Sequence, residues 1–275
     1  MAKISVVVIT YNEEKNIERC LRSVRWADEI IVVDSFSTDR TVEVAKKYTD
    51  KILQQQYDGE VTQRERGFKV ATGDWLLWVD ADEEVSEELK VEILATIRNI
   101  GGYDGYYIAR KVFALGRWVE HGGWFPDWQF RLARKDAIVP EYQEIHGNFT
   151  THGSKGRLAG LLYHYTYETI SEHMRKMNDQ TSLHVSNKLK HNPHVVVRWY
   201  KIVLSPLSYF IRMFIIQKGY KDGMEGFILA VNSAIYTLLV YAKMWEYQWR
   251  TKEGKHLLPP ITNAEVQYLK RMKYS

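Results

Sequence analysis

GDWLLWVDADEEV, residues Gly73 to Val85, decides how the rest of the chain is read. Trp75 to Val79 is a short, wholly apolar run of the kind that makes a strand buried on both faces. It ends abruptly in Asp80, Asp82, Glu83 and Glu84, so an apolar strand delivers acid to its own C-terminal tip. In open parallel sheets ligands bind at that tip, and two aspartates at i and i+2 can reach one hard divalent cation where the backbone turns. Asp80-Ala81-Asp82 is therefore read as a metal and diphosphate site. The same acids would also suit a solvated loop capping a helix that begins near Ser86, because carboxylates favour a helix N-terminus.

Working outward toward the N-terminus, Ile4 to Ile9 is a β-branched run suited to a buried parallel strand. Asn12 is expected to cap a helix with Glu13 and Glu14 in its first turn and Ile17, Leu21 and Val24 on its apolar face. Glu29 to Val33 reads as a second buried strand ending at Asp34, and Lys51 to Leu53 as a third. A helix around Gln63 to Ala71 precedes the Trp75 strand. Strands alternating with helices of this length imply right-handed βαβ units, a parallel sheet and an α/β fold. Three strand ends then converge, carrying Thr10-Tyr11-Asn12-Glu13, Asp34 and Asp80-Ala81-Asp82. Neither GxGxxG nor GxxxxGK[ST] occurs after the first strand, which argues against a Rossmann dinucleotide site or a P-loop. A Gly-poor first loop leaves few backbone amides for phosphate, so charge neutralisation falls to a metal on the aspartates.

The 275 residues suffice for a sizeable core, and 45% hydrophobic with 26% charged residues is ordinary for a folded protein. A net charge of +4 with no basic run gives no support for nucleic-acid binding. The single cysteine, Cys20, excludes an internal disulfide and fits a reducing compartment; its neighbours Ile17, Leu21 and Val24 place it in the core. MAKISVVVITYNEE lacks the longer apolar stretch and cleavage site of a signal peptide, so the catalytic part is expected to stay in the cytoplasm.

Beyond a helix at Leu89 to Ile97 the pattern changes to short aromatic segments. Tyr103 to Arg110, Gln129 to Arg134 and Arg157 to Tyr163 read as strands of a mixed sheet extension. The loop WVEHGGWFPDW, Trp118 to Trp128, has ring faces beside polar groups that suit a sugar or a packing core equally. From Thr169 the chain turns helical, opening on a capping box, Thr169-Ile170-Ser171-Glu172. Val195 to Ile216 is apolar but interrupted by Arg198, Lys201, Pro206 and Arg212. Phe227 to Ala242 is uncharged and then gives way to Lys243, Trp245, Tyr247, Trp249 and Arg250. That span falls short of the roughly 20 apolar residues of a bilayer crossing, and such flanks mark an interface. These helices are expected to lie on the cytoplasmic face of a membrane, or else to form a helical core or homo-oligomer interface.

In order and spacing, VVVITYNEEKNIERCL (Val6 to Leu21), EIIVVDSFSTDRT (Glu29 to Thr41) and GDWLLWVDADEEV resemble the family 2 glycosyltransferases of GT-A fold. PDWQFRLARK (Pro126 to Lys135) and LLYHYTY (Leu161 to Tyr167) resemble a bacterial subgroup that contains lipopolysaccharide core β-1,4-glucosyltransferases. The resemblance implies a GT-A domain over residues 1–168, with 1–100 as the nucleotide-sugar half and 101–168 as the acceptor half. A helical C-terminal region, 169–275, would follow. It implies inverting transfer of a sugar, glucose or another hexose, from a nucleotide-sugar donor, most simply a UDP-sugar, to a lipid-linked glycan acceptor. It also implies that Thr10, Tyr11 and Glu13 line the nucleoside pocket and that Asp34 contacts base or ribose. Asp80 and Asp82 would sit at ribose, metal and diphosphate, with His164 completing the shell of Mn²⁺ or Mg²⁺. Inversion needs a base opposite the leaving group; Asp127 resembles the family's aspartate in its D-x-R-L setting, with Glu144 in reserve, and either could instead be a loop acid paired with Arg131 or Arg134. Where relatives carry a basic residue followed by Asn, this chain has Gln63-Arg64-Glu65-Arg66-Gly67, which leaves the phosphate or base contact to Arg64. A sugar-phosphate nucleotidyltransferase or a non-catalytic nucleotide-sugar-binding scaffold would share the sheet.

Overall fold

The computed structural model describes residues 2–99, 101–141, 148–192 and 195–252. The described residues divide into two compact units, one of residues 2–111 with Pro126–Tyr165, the other of Val112–Phe125 with residues 166–252.

The first unit is built on β1 (Ile4–Thr10), β2 (Glu29–Asp34), β3 (Ile52–Gln54) and β4 (Trp75–Asp80), all mutually parallel. Between them run α1 (Ile17–Ser23), α2 (Thr41–Ala45) and α3 (Glu60–Val70). After β4 come β5 (Glu83–Val85), α4 (Glu87–Thr96), β6 (Gly105–Ala114), β7 (Arg117–Val119) and β8 (Asp127–Arg134). The hairpin β9 (Ile138–Glu141) and β10 (Asn148–Thr151) and the long β11 (Lys155–Tyr167) follow. The strand order is β3-β2-β1-β4-β8-β6-β11-β5, so the parallel half passes to antiparallel neighbours at β4–β8. This is the α/β fold with a mixed extension that the sequence implies.

Side chains alternate across the sheet as a period of two demands. Trp75, Leu77 and Val79 join Ile4, Val6 and Val8 in a core with Ile17, Leu21, Leu89 and Ile93 of α1 and α4, and Cys20 is buried there. Leu76 and Trp78 face the opposite core with Val7, Phe68 and Phe149. Trp78 packs edge-on against Phe68, Phe130 and Phe149 at centroid distances of 5.5, 5.8 and 5.7 Å. Each fully buried side chain of this kind stabilises the sheet by about 1.5–3 kcal/mol. A Cβ at Gly67 would lie 2.4 Å from Val7 Cγ1, so glycine there lets α3 approach the sheet closely. The helix expected to begin near Ser86 does so, and the cap is the Ser86 hydroxyl, which accepts from Leu89 N at 3.1 Å, rather than the acids before it.

Asn12 does not cap a helix. It sits at φ 52°, and α1 begins only at Ile17. Its Oδ1 accepts from Thr38 N at 2.8 Å and its own N–H donates to Ser37 Oγ at 2.9 Å, which ties the loop after β1 to the loop after β2. A short amide side chain tolerates the left-handed region and bonds locally, and here that loop geometry prevails over capping.

The second unit is helical, with α5 (Ile170–His191), α6 (Trp199–Ile211) and α7 (Gly223–Lys252). A π turn at Arg212–Ile216 and a 3-10 turn at Gly219–Asp222 join the last two. Thr169 caps α5 by accepting from Glu172 N at 3.1 Å. Val185 and Leu189 of α5 pack with Val240 and Met244 of α7. Residues 112–125, which chain order puts inside the acceptor half, belong to this unit. Buried Asp222 accepts from His121 N at 2.8 Å and Glu120 N at 3.1 Å and pairs with His121 Nδ1 at 2.9 Å. Trp124 packs near Val112, Val119 and Leu229, so this ring of the Trp118 to Trp128 loop serves a core. None of the residues of α6 is buried.

Candidate functional site

At the C-terminal tip of β4, ionisable side chains from β4, α3, β5, β6 and β8 form a connected network of Asp80, Arg64, Arg131, Glu83, Arg110 and Asp127. Asp80 ends β4, and its two carboxylate oxygens go to different arginines: Oδ1 accepts from Arg64 Nη2 at 2.7 Å and Oδ2 from Arg131 Nη2 at 2.8 Å. Both guanidiniums are only 4% exposed. Burial alone would raise the Asp80 carboxyl, but the charges of Arg131 and Arg64 outweigh it and hold the group well below the usual carboxylate range. Arg64 reaches Asp80 from α3, the helix that Gly67 lets close onto the sheet, and also meets Glu60 at 3.4 Å. Its Nε is buried without a partner among the described residues, as is Nε of Arg131.

Asp82 and His164 form a second pair. The β5–β11 register sets His164 opposite Glu83, and His164 Nε2 lies 3.3 Å from Asp82 Oδ2. Two ligands at right angles on an octahedral ion with bonds of about 2.1 Å stand about 3 Å apart, so this spacing suits adjacent donors to one Mn²⁺ or Mg²⁺. Among the described residues no group of three or more His, Cys, Asp and Glu side chains could hold a metal ion by itself. Asp82 and His164 are thus two residues that could contribute to the shell of such an ion, the rest of which the described side chains do not supply. Charge points the same way: Glu60, Asp80, Asp82, Glu83 and Asp127 set against Arg64, Arg110 and Arg131 leave two negative charges before His164 is counted. His164 Nδ1 is buried and without a partner among the described residues.

Asp127 opens β8 directly opposite Arg110 of β6. Arg110 Nε and Nη2 both contact Asp127 Oδ2, at 2.8 and 2.7 Å, and Gln129 Nε2 donates to Oδ1 at 2.8 Å. The carboxylate is 31% exposed and so open to an incoming hydroxyl. Its partner is Arg110, not the Arg131 or Arg134 that stand nearer in sequence. Glu83 links this pair to Asp80, accepting from Arg110 Nη1 at 3.2 Å and Arg131 Nη2 at 3.0 Å. Glu144 lies outside the described residues.

The remaining candidates stand on the loops beyond β1 and β2. Thr10 Oγ1 is buried without a partner among the described residues, and an unsatisfied polar atom of this kind calls for a ligand or water; the Tyr11 hydroxyl is buried beside Asn12, and burial raises its pKa. Asp34 is fully buried and committed to its own loop: it accepts from Ser37 N at 3.0 Å, from the Ser37 hydroxyl, and from Gln54 Nε2 at 3.1 Å. Glu13 accepts from Asn16 Nδ2 at 2.7 Å, while its N–H donates to Thr41 Oγ1 at 2.8 Å. Gln63, fully buried, donates to Ser35 Oγ at 2.9 Å. Reading the chain alone missed Arg110 and Glu83. The alternation Glu83 in, Glu84 out, Val85 in could have singled out Glu83, but Arg110 becomes visible only through the β6–β8 register.

The model of glycosyl transferase family 2 matches residues 5–154. The lipopolysaccharide core biosynthesis glycosyltransferase LpsC of Rhizobium meliloti is 26% identical over 258 residues, covering 88% of this chain and 92% of that protein. An uncharacterized glycosyltransferase of Rickettsia typhi is 29% identical over 274 residues, covering 92% of this chain and 90% of its own. Among solved structures, S. aureus TarS 1–349 in complex with UDP-GlcNAc superposes with a TM-score of 0.44 at 20% identity, over 99% of this chain and 93% of that one. The family match spans more than half of the sequence and includes the strands that end in Thr10, Asp34 and Asp80: the chain belongs to glycosyl transferase family 2 and is a glycosyltransferase.

Proposed function

We propose that this glycosyltransferase moves a hexose from a UDP-sugar to a lipid-linked glycan of the lipopolysaccharide-core type, with inversion at the transferred carbon. The observation that carries the reading is the pairing of two separate carboxylate sites in the first unit, Asp82 beside His164 and Asp127 beside Arg110. In this reading Thr10 and Tyr11 receive the nucleoside, and Arg64 and Arg131 fix Asp80 against the ribose. Asp127 accepts the proton of the acceptor hydroxyl as its oxygen bonds to the anomeric carbon. The bond from that carbon to the diphosphate breaks on the opposite face, and the electron pair leaves with the diphosphate. A divalent ion held by Asp82 and His164 would supply positive charge to that leaving group. The lipopolysaccharide-core acceptor class is suggested by the Rhizobium meliloti relative, a lipopolysaccharide core biosynthesis glycosyltransferase.

A thermal-shift screen of UDP-, GDP- and dTDP-sugars with and without Mn²⁺ tests the donor. A ligand at a hundred times its Kd stabilises the native state by about 2.7 kcal/mol, so the UDP-sugar is expected to raise Tm by several degrees only when the metal is present. A metal-independent response, or none to any nucleotide-sugar, would overturn the reading. Turnover of labelled donor separates an enzyme from a scaffold.

The acceptor proposal includes a cytoplasmic membrane face as partner, supported by α6. Trp199, Val203, Leu207, Ile211 and Ile215 recur every fourth residue and are all exposed. From 195 to 221 the chain carries Arg198, Lys201, Arg212, Lys218 and Lys221 and no acid. By length and composition Trp199–Ile216 and Gly219–Arg250 are both sufficient to cross a bilayer, α7 being far longer than its uncharged run suggested. Between Lys201 and Arg212, however, the uncharged stretch 202–211 spans only about 15 Å as a helix, against a hydrocarbon core of about 30 Å. An interfacial helix with its cations toward anionic lipid fits this better than a crossing. The whole protein is expected to co-sediment with anionic but not zwitterionic liposomes, and less so at high salt, each basic residue near the surface contributing about 1 kcal/mol. Equal indifference to both would make this face an interface between copies of the chain.

A further inference from the structure

Glu83 takes no part in the steps above, yet its side chain is 0% exposed and its carboxylate is held by three groups of site residues. Oε1 accepts from Arg110 Nη1 and Arg131 Nη2, and Oε2 accepts from the backbone N–H of Asp80 at 2.9 Å. The result is an alternating chain of charges running Asp127, Arg110, Glu83, Arg131, Asp80. A guanidinium is planar with donors in fixed directions, so anchoring one nitrogen sets where the others point. With Nη1 held by Glu83, Arg110 meets Asp127 through Nε and Nη2 at a single oxygen, Oδ2. Released from Glu83, the same guanidinium is free to turn in its plane and draw the Asp127 carboxylate with it.

We propose that Glu83 is a positioning residue of the transfer reaction: through Arg110 it orients the carboxylate of Asp127 toward the acceptor hydroxyl. This rests on the reading of Asp127 as the base. Glu83 also touches Arg131 and the Asp80 N–H, but Asp80 has direct contacts of its own with Arg64 and Arg131, so the larger effect is expected on turnover and the smaller on donor binding.

The test is a double-mutant cycle on the whole protein, with labelled UDP-sugar and Mn²⁺, comparing wild type, Glu83→Gln, Asp127→Asn and the double variant. A residue acting through another loses its effect once that other is gone. Glu83→Gln is expected to lower kcat about tenfold or more with donor KM within about threefold, but to cost less than about twofold further in the Asp127→Asn background. An equal factor in both backgrounds, or unchanged kcat in Glu83→Gln, overturns the proposal while leaving Asp127 as the base. Near-normal turnover in Asp127→Asn alone overturns the base reading and this proposal with it. If circular dichroism shows Glu83→Gln unfolded, Arg110→Gln replaces it in the same cycle, where additivity with Asp127→Asn overturns the proposal.

Discussion

Asp127→Asn is expected to lower turnover by at least about a hundredfold, the scale on which a positioned general base contributes, while donor affinity changes little. The amide keeps the shape of the carboxylate and can still sit between Arg110 and Gln129, but it cannot take a proton from the acceptor. The isosteric substitution creates no cavity, and Arg110, which loses one carboxylate partner, keeps Glu83 as the other. Comparison of kcat for labelled donor with the donor-induced Tm shift separates lost chemistry from lost binding. Turnover near normal would transfer the role to Glu144.

Metal removal should have an effect at least as large. EDTA is expected to depress turnover by at least about a hundredfold, with Mn²⁺ restoring it, because an ion beside a diphosphate stabilises the departing charge by several kcal/mol. Asp82→Ala should reproduce the loss in the presence of Mn²⁺ with the fold intact. Asp80 should behave differently: Asp80→Asn leaves Arg64 and Arg131 buried with reduced compensation, and breaking a buried pair costs about 3–5 kcal/mol of stability. The contrast is read from Tm and activity side by side. Full activity of Asp82→Ala in EDTA would remove the metal from the mechanism.

The strands were legible because their apolar runs are short, uninterrupted and end in polar residues. Trp75 to Val79 is buried throughout and pairs with β1 in the expected parallel order, while its other neighbour, β8, runs antiparallel. Thr169 announced its cap through a capping box whose side chains suit a helix N-terminus, whereas the start of α4 was placed by the acids before it and its cap proved to be Ser86. Asn12 has the same suitability and does not cap, since the loop after β2 offers Thr38 and Ser37 as partners across a distance that residue order does not encode. The aromatic loop was ambiguous for a related reason: an indole ring suits a core and a sugar alike, and only the neighbours of Trp124 choose between them.

By itself the sequence determined that this is an α/β protein with acids at strand tips and an acid-free basic, apolar helix near its end. Those are properties of composition and period, carried by each segment alone. Only the tertiary structure decided which charge meets which. Arg110 rather than Arg131 faces Asp127, Arg131 goes to Asp80, and Glu83 joins them, because antiparallel register and the pleat set cross-strand neighbours between residues distant along the chain.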